Sequence, residues 1–253
     1  MQHRSRCHVA LKGVAWLTVA VLLTFALQAH AGALDKVADD VARQDFTPVL
    51  RNFVLLSLLS LLPVMMIAMT SFTRIVIVLS LLRHALGLPQ TPPNSVIITL
   101  SLCLTWFTMA PVAGKIDQDA LTPYLSQQIT ASEAIERGKD PLRQFMISQT
   151  RESDLKVVLE MAKAPMPTTA KDVAFSQLVP AFLLSELKTA FQIGFVIFLP
   201  FLLIDLVVSA ILMALGMIML PPTTISLPLK ILLFILIDGW VLTAKALLGS
   251  FWN

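Results

Sequence analysis

Apolar positions along this chain gather into long unbroken runs, separated by proline-rich turns and one polar block. Residues 53–73 give 21 positions without Asp, Glu, Lys or Arg, residues 84–114 give 31, and residues 206–229 give 24. As a helix, 21 residues rise about 31 Å, which matches a hydrocarbon core of about 30 Å. The pattern predicts an apolar helical region from Pro48 to Gly87, interrupted at Pro63 and Arg74, then a turn at "LPQTPPN" (88–94). A second apolar stretch follows from Ser95 to Ala113, ending near Pro111 and Gly114. Two more, Val179 to Leu220 and Pro228 to Phe251, are joined by "PPTTISL" into a helical hairpin with Pro200 inside its first arm.

The polar block, 115–172, holds 17 of the 35 charged residues. Thr130 and Glu133 fit a capping box with Gly138 as the stop. Asp140-Pro141 reads as the N-cap and first residue of a further helix running to about Lys163. No strand-like alternation and no internal repeat is visible. The fold class is therefore all-α: integral membrane-type helical hairpins with broken helices. Five parts follow: a signal peptide (1–31), a polar N-terminal segment (32–47), a first apolar hairpin (48–114), a polar, periplasmic helical segment (115–172) and a second apolar hairpin (173–253).

Composition sharpens this. Charged residues make up 14% and apolar ones 56%, against about 25% charged in a soluble globular chain, and the mean hydropathy is +0.78. Arg4, Arg6 and Lys12 precede the apolar run Val14 to Leu27, and "AHAG" offers cleavage after Ala31; the competing reading is an uncleaved first transmembrane helix. Cleavage places the mature N-terminus, and with it the block 115–172, outside the cytoplasm. The eight Lys and Arg of that block argue the other way.

Once residues 1–31 are removed, Cys103 and His84 are the sole members of their types. No intrachain disulfide, His/Cys metal cluster or Ser-His-Asp site follows from such a set. No glycine-rich phosphate loop occurs, and a net charge of +3 with scattered basic residues gives no nucleic-acid footprint. The sequence reads as a non-enzyme without cofactor or metal.

The candidate chemistry lies in ionisable residues within apolar helices: Arg74, Arg83, Glu186, Lys188, Asp205, Lys230, Asp238 and Lys245. Such groups are costly in lipid and face protein or water, usually in pairs. Measured from Pro222, Asp205 and Asp238 lie 17 and 16 residues away, and Glu186 and Lys230 lie 36 and 8. The last two differ in depth by about 40 Å, so they either bridge different copies of the chain or stay partly exposed.

Met213, Met217 and Met219 approach the double proline Pro221-Pro222. They read either as core filler or as a deformable apolar constriction, a ring when repeated around an oligomer. Two functions compete at this point: a gate subunit, and a secondary transporter or proton-pathway subunit using Asp205 and Asp238 as relays.

The stretches "MTSFTRIVIVLSLLRHALGLPQTPPN" (69–94), "DPLRQFMISQTRESDL" (140–155), "PAFLLSELKTAFQIGFVIFLPFLLIDLVVSAILMALGMIMLPP" (180–222) and "LPLKILLFILIDGW" (227–240) resemble the FliP family of flagellar biosynthetic proteins, kin to the injectisome SctR proteins. The resemblance covers about residues 50 to 252. It implies a core subunit of the type III export gate in the bacterial inner membrane and flagellar basal body, with a periplasmic portion. Several copies would assemble with FliQ and FliR into a helical, ring-like channel for unfolded flagellar substrates, associated with FlhB and FlhA and in contact with lipid. It also implies a methionine-rich pore loop at Met217, Ile218 and Met219, where Ile218 interrupts the methionine run.

Overall fold

The structure is a computed structural model and describes residues 48–165, 173–217 and 219–252. The expected signal segment with its cleavage after Ala31, the polar stretch 32–47 and Ile218 lie outside the described residues.

The described residues are helical throughout their regular elements. α1 (Pro48–Ala68) runs straight through Pro63, and the expected interruption falls instead at residues 69–71. α2 (Phe72–Ala85) aligns Ile75, Val78, Leu79 and Leu82 in one fully buried stripe, the helical spacing of a core-facing surface. It ends on Gly87 at φ 78. The amide of Gly87 donates to the carbonyl of His84 at 3.0 Å and that of Leu88 to Arg83 at 3.3 Å, the two bonds of a Schellman cap.

α3 (Asn94–Ile116) does not stop at Pro111 or Gly114. It passes through a π-turn, Asp117–Leu121, into the short α4 (Thr122–Leu125), giving a span of 32 residues from Asn94 to Leu125. Tertiary packing supports the extension: Ala120 is buried, and a Cβ added to Gly138 would lie 3.6 Å from its Cβ. Gly138 is thus a helix-crossing position rather than a stop.

α5 (Ala131–Gln149) accordingly runs through both Gly138 and Pro141. The Thr130 cap is formed, with the Glu133 amide donating to Oγ1, while the Glu133 side chain pairs with Arg137 at 2.7 Å. The polar block thus breaks at Thr150-Arg151, before α6 (Glu152–Met161). There the Arg151 amide donates to Ser185 Oγ of another helix at 3.0 Å.

α7 (Phe175–Ala214) is 40 residues long and includes Pro180 and Pro200. At about 60 Å it is twice the thickness of a hydrocarbon core. α2 lies along it, with Leu81 so close to Gly194 that a Cβ there would meet Leu81 Cδ1 at 2.3 Å. The main core gathers α2, α3, α5, α7 and the chain end around Phe145, Phe182 and Phe251. A smaller one joins Leu82, Phe201 and Phe234.

The last apolar run is broken. α8 (Thr223–Leu236) and α9 (Gly239–Gly249) meet at a bend of 64°. Asp238 turns the chain at φ 52, and Gly239 lies under the Phe234 ring, where an added Cβ would sit 2.1 Å from Cε2. Among the described residues, two helices, Asn94–Leu125 and Phe175–Ala214, are long and apolar enough to cross a membrane, or three spans with the bent pair.

Candidate functional site: buried ion pairs behind a methionine-tipped hairpin

The membrane-type helices are tied by three polar clusters. At the first, Arg74 on α2 grips Glu186 on α7 in a two-pronged pair: Nε to Oε2 at 2.9 Å and Nη2 to Oε1 at 2.5 Å. Both side chains are buried. The remaining guanidinium donors reach the Ser250 carbonyl at 3.0 Å, Ser250 Oγ at 3.1 Å and Gln149 Oε1 at 2.9 Å. The Phe251 ring lies 3.9 Å below the guanidinium carbon. Arg74 thereby joins α2, α7, the end of α5 and the C-terminal turn. A planar fork with five donors suits this task, and a lysine would not.

At the second cluster, Lys230 on α8 pairs with Asp205 on α7 at 2.6 Å and donates to the Ala85 carbonyl at 3.4 Å. This site is less completely satisfied. Asp205 Oδ1 and the hydroxyl of Ser226, one turn before Lys230, are buried without a protein partner. The third cluster docks α6 on α7. Asp154 accepts from Lys188 at 2.5 Å and from Ser185 Oγ at 2.9 Å, and Arg151 reaches Thr189 and Gln192. The Lys188 hydrogen bond is the main influence on the Asp154 carboxyl and holds it below its ordinary value; burial opposes this, and the Ser185 hydroxyl assists it.

Of the sequence-derived residues, the structure brings Arg74 to Glu186 and Asp205 to Lys230. Arg83 braces the turn into α3, donating to Asn94 Oδ1 at 2.7 Å and the Pro92 carbonyl at 3.1 Å. Lys188 serves Asp154. Asp238 is exposed at the α8–α9 bend and Lys245 is exposed on α9, so Asp205 and Asp238 do not form a matched pair inside one hairpin. The Glu186–Lys230 bridge expected between copies is a contact between chains and stays a proposal; within this chain Glu186 pairs with Arg74 and Lys230 with Asp205. In the single chain Glu186 is fully buried, and each of these charges has a partner on a neighbouring helix. Sequence reasoning missed Asp154, Ser185, Gln149 and Ser250. Asp154 is one acid among nine in a polar block, and the others are neutral residues that no charge pattern marks.

The tip of the hairpin has a distinct construction. α7 ends not on the double proline but on Gly216, φ 73, with Gly216 N–H to the Met213 carbonyl at 3.0 Å and Met217 N–H to Leu212 at 2.9 Å. This is a second Schellman cap, and α8 starts only after Pro221-Pro222. Leu212 is buried on the inner face, while Met213, Met217 and Met219 are exposed, Met219 at 99%. They are not core filler within the single chain. Among the described residues no group of three or more His, Cys, Asp or Glu is arranged to hold a metal.

A family model described as the FliP family matches residues 55–247. The flagellar biosynthetic protein FliP of Pectobacterium carotovorum subsp. carotovorum is 52% identical over 210 residues, 83% of this chain and 81% of its own length. The protein of that name from Bacillus subtilis (strain 168) is 49% identical over 208 residues, covering 82% and 94%. That of Aquifex aeolicus (strain VF5) is 47% identical over 204 residues, covering 80% and 85%.

Proposed function

Because the chain belongs to the FliP family of flagellar biosynthetic proteins, we propose that it is a core channel subunit of the flagellar type III export gate, conducting unfolded flagellar proteins across the bacterial inner membrane at the basal body. The observation that carries this reading is the α7–α8 tip: an apolar, methionine-rich turn, exposed in the single chain and held out on a hairpin pinned by Lys230–Asp205. Exposed methionines on a rigid support suit a surface that meets varied partners, because the thioether adapts at little cost. Several copies set around an axis would bring Met217 and Met219 together as an apolar constriction of the kind that closes pores by excluding water. The gate would be completed by FliQ and FliR and joined by FlhB and FlhA, with the segment 115–172 facing the periplasm. The three polar clusters would stiffen each copy, so that opening occurs at the tip.

The test is native mass spectrometry of the protein from mild detergent, alone and coexpressed with FliQ and FliR. A defined oligomer that incorporates both partners supports the gate. A stable monomer that takes up neither overturns it.

A further inference from the structure

Two clefts on adjoining sides of α7 meet at a single shared residue, Gln192. The first, about 490 Å³, is bounded by α7 (Gln192, Val196, Pro200), Phe234 of α8 and Leu242 of α9, inside the α8–α9 bend. Apart from Gln192 and Thr243, whose hydroxyl donates to the Gly239 carbonyl, its walls are apolar, and Val196 is largely exposed at its mouth. The second, about 610 Å³, lies toward α6 and is bounded by Arg151, Asp154, Leu184, Lys188, Phe191 and Gln192.

Its walls carry two cations and one carboxylate. The Asp154 oxygens are taken by Lys188 and Ser185, and Arg151 donates to neutral groups, Thr189 and Gln192. One positive charge is therefore left over. Leu184, Lys188, Gln192, Val196 and Pro200 recur every four residues, so they form one oblique ridge of neighbouring side chains that winds about 40° around α7 at each step. From Lys188 to Pro200 the helix rises about 18 Å, and one leaflet of a 30 Å core is about 15 Å deep. A basic end and an apolar channel of one leaflet's depth match the two halves of a single amphiphile.

We propose that this face binds an anionic phospholipid, its headgroup at Arg151 and Lys188 and an acyl chain in the apolar cleft between α7 and the α8–α9 bend. The site does not depend on the export reading. Trp240 supplies the probe, because its ring stacks edge-on against Phe234 at 5.4 Å, beside the acyl cleft. The full chain with Trp16, Trp106 and Trp252 changed to Phe is placed in phosphatidylcholine bilayers. It is then titrated with phosphatidylglycerol or phosphatidylcholine brominated on the acyl chain, which quenches nearby indole.

Phosphatidylglycerol is expected to quench Trp240 at about fivefold lower mole fraction, the worth of one basic charge at a membrane surface. Arg151→Gln should abolish that preference while Arg151→Lys keeps it. Val196→Phe, which puts a ring in the cleft, should weaken quenching by both lipids. Equal quenching by the two lipids in the chain that keeps Trp240 alone, with Arg151 and Val196 unchanged, overturns the proposal. So does protection of Trp240 from both lipids with Val196→Cys chains cross-linking to one another, which would give the face to a second copy.

Discussion

Arg74 and Asp154 show how differently two charged residues contribute. Arg74 sits in a buried pair whose donors are satisfied by three residues, Glu186, Ser250 and Gln149, so its removal leaves Glu186 buried without its partner. Arg74→Ala should cost about 3–5 kcal/mol, whereas Arg74→Met with Glu186→Met should recover most of the loss, because well-packed apolar groups replace a desolvated pair at little net cost. Thermal unfolding in detergent measures both; a double variant no better than the single one would refute the assignment. Asp154 is paired with a lysine whose side chain is half exposed, and its carboxyl titrates below the ordinary 3.8. A carboxyl depressed in the folded state adds stability above its unfolded value and loses it as the pH falls toward the folded one. The melting temperature of the parent protein should thus exceed that of Asp154→Asn at pH 6 and converge on it below about pH 4, near the ordinary aspartate value. A constant offset from pH 7 to pH 3 would show that the carboxylate charge plays no part.

At the level of helices, glycines mark two different constraints. Gly216 has positive φ but nothing within 4 Å of an added Cβ, so Gly216→Ala should cost only the left-handed penalty of about 1–2 kcal/mol. Gly239 is constrained instead by Phe234, whose ring packs on Phe201 and Trp240 and has little room to move. Gly239→Ala should loosen the α8–α9 bend by about 1–3 kcal/mol, as overpacking does, and Phe234→Leu should relieve it while leaving Gly216→Ala unimproved. Melting temperatures of the four variants decide this; relief of Gly216→Ala by the same change would contradict it. The contrast also explains why Gly138 misled the reading of the polar block. A glycine inside a helix serves either as a cap or as a crossing point, and the choice depended on Ala120, 18 residues earlier in the chain.

For the molecule as a whole, the methionine tip is the part expected to respond to assembly. In the complete complex reconstituted in planar bilayers, Met217→Gly with Met219→Gly should raise resting ion conductance well above that of the parent, because the constriction loses its apolar bulk. The same changes should leave the thermal stability of the isolated chain nearly unaltered, since Met219 is almost wholly exposed. Unchanged conductance would demote the tip to a simple subunit contact.

Much of this architecture was legible from the chain alone. Apolar runs of membrane length, the Thr130 cap, the hairpin around Pro221-Pro222 and the set of charges embedded in apolar helices are local properties, set by composition and by neighbours a few residues away. The pairings were not. Arg74 and Glu186 are 112 residues apart, and Lys230 and Asp205 belong to two arms whose register depends on where each helix ends. That register was decided by Gly216 rather than by the prolines, and by a bend that cut the last apolar run in two. Breaks at residues 69–71, at Thr150-Arg151 and at Asp238 likewise follow from what packs alongside, as the Ser185 hydroxyl on the Arg151 amide shows. Local sequence determines which groups cannot remain unpartnered in an apolar setting; only the folded chain, by bringing distant helices to the same depth, selects the partner.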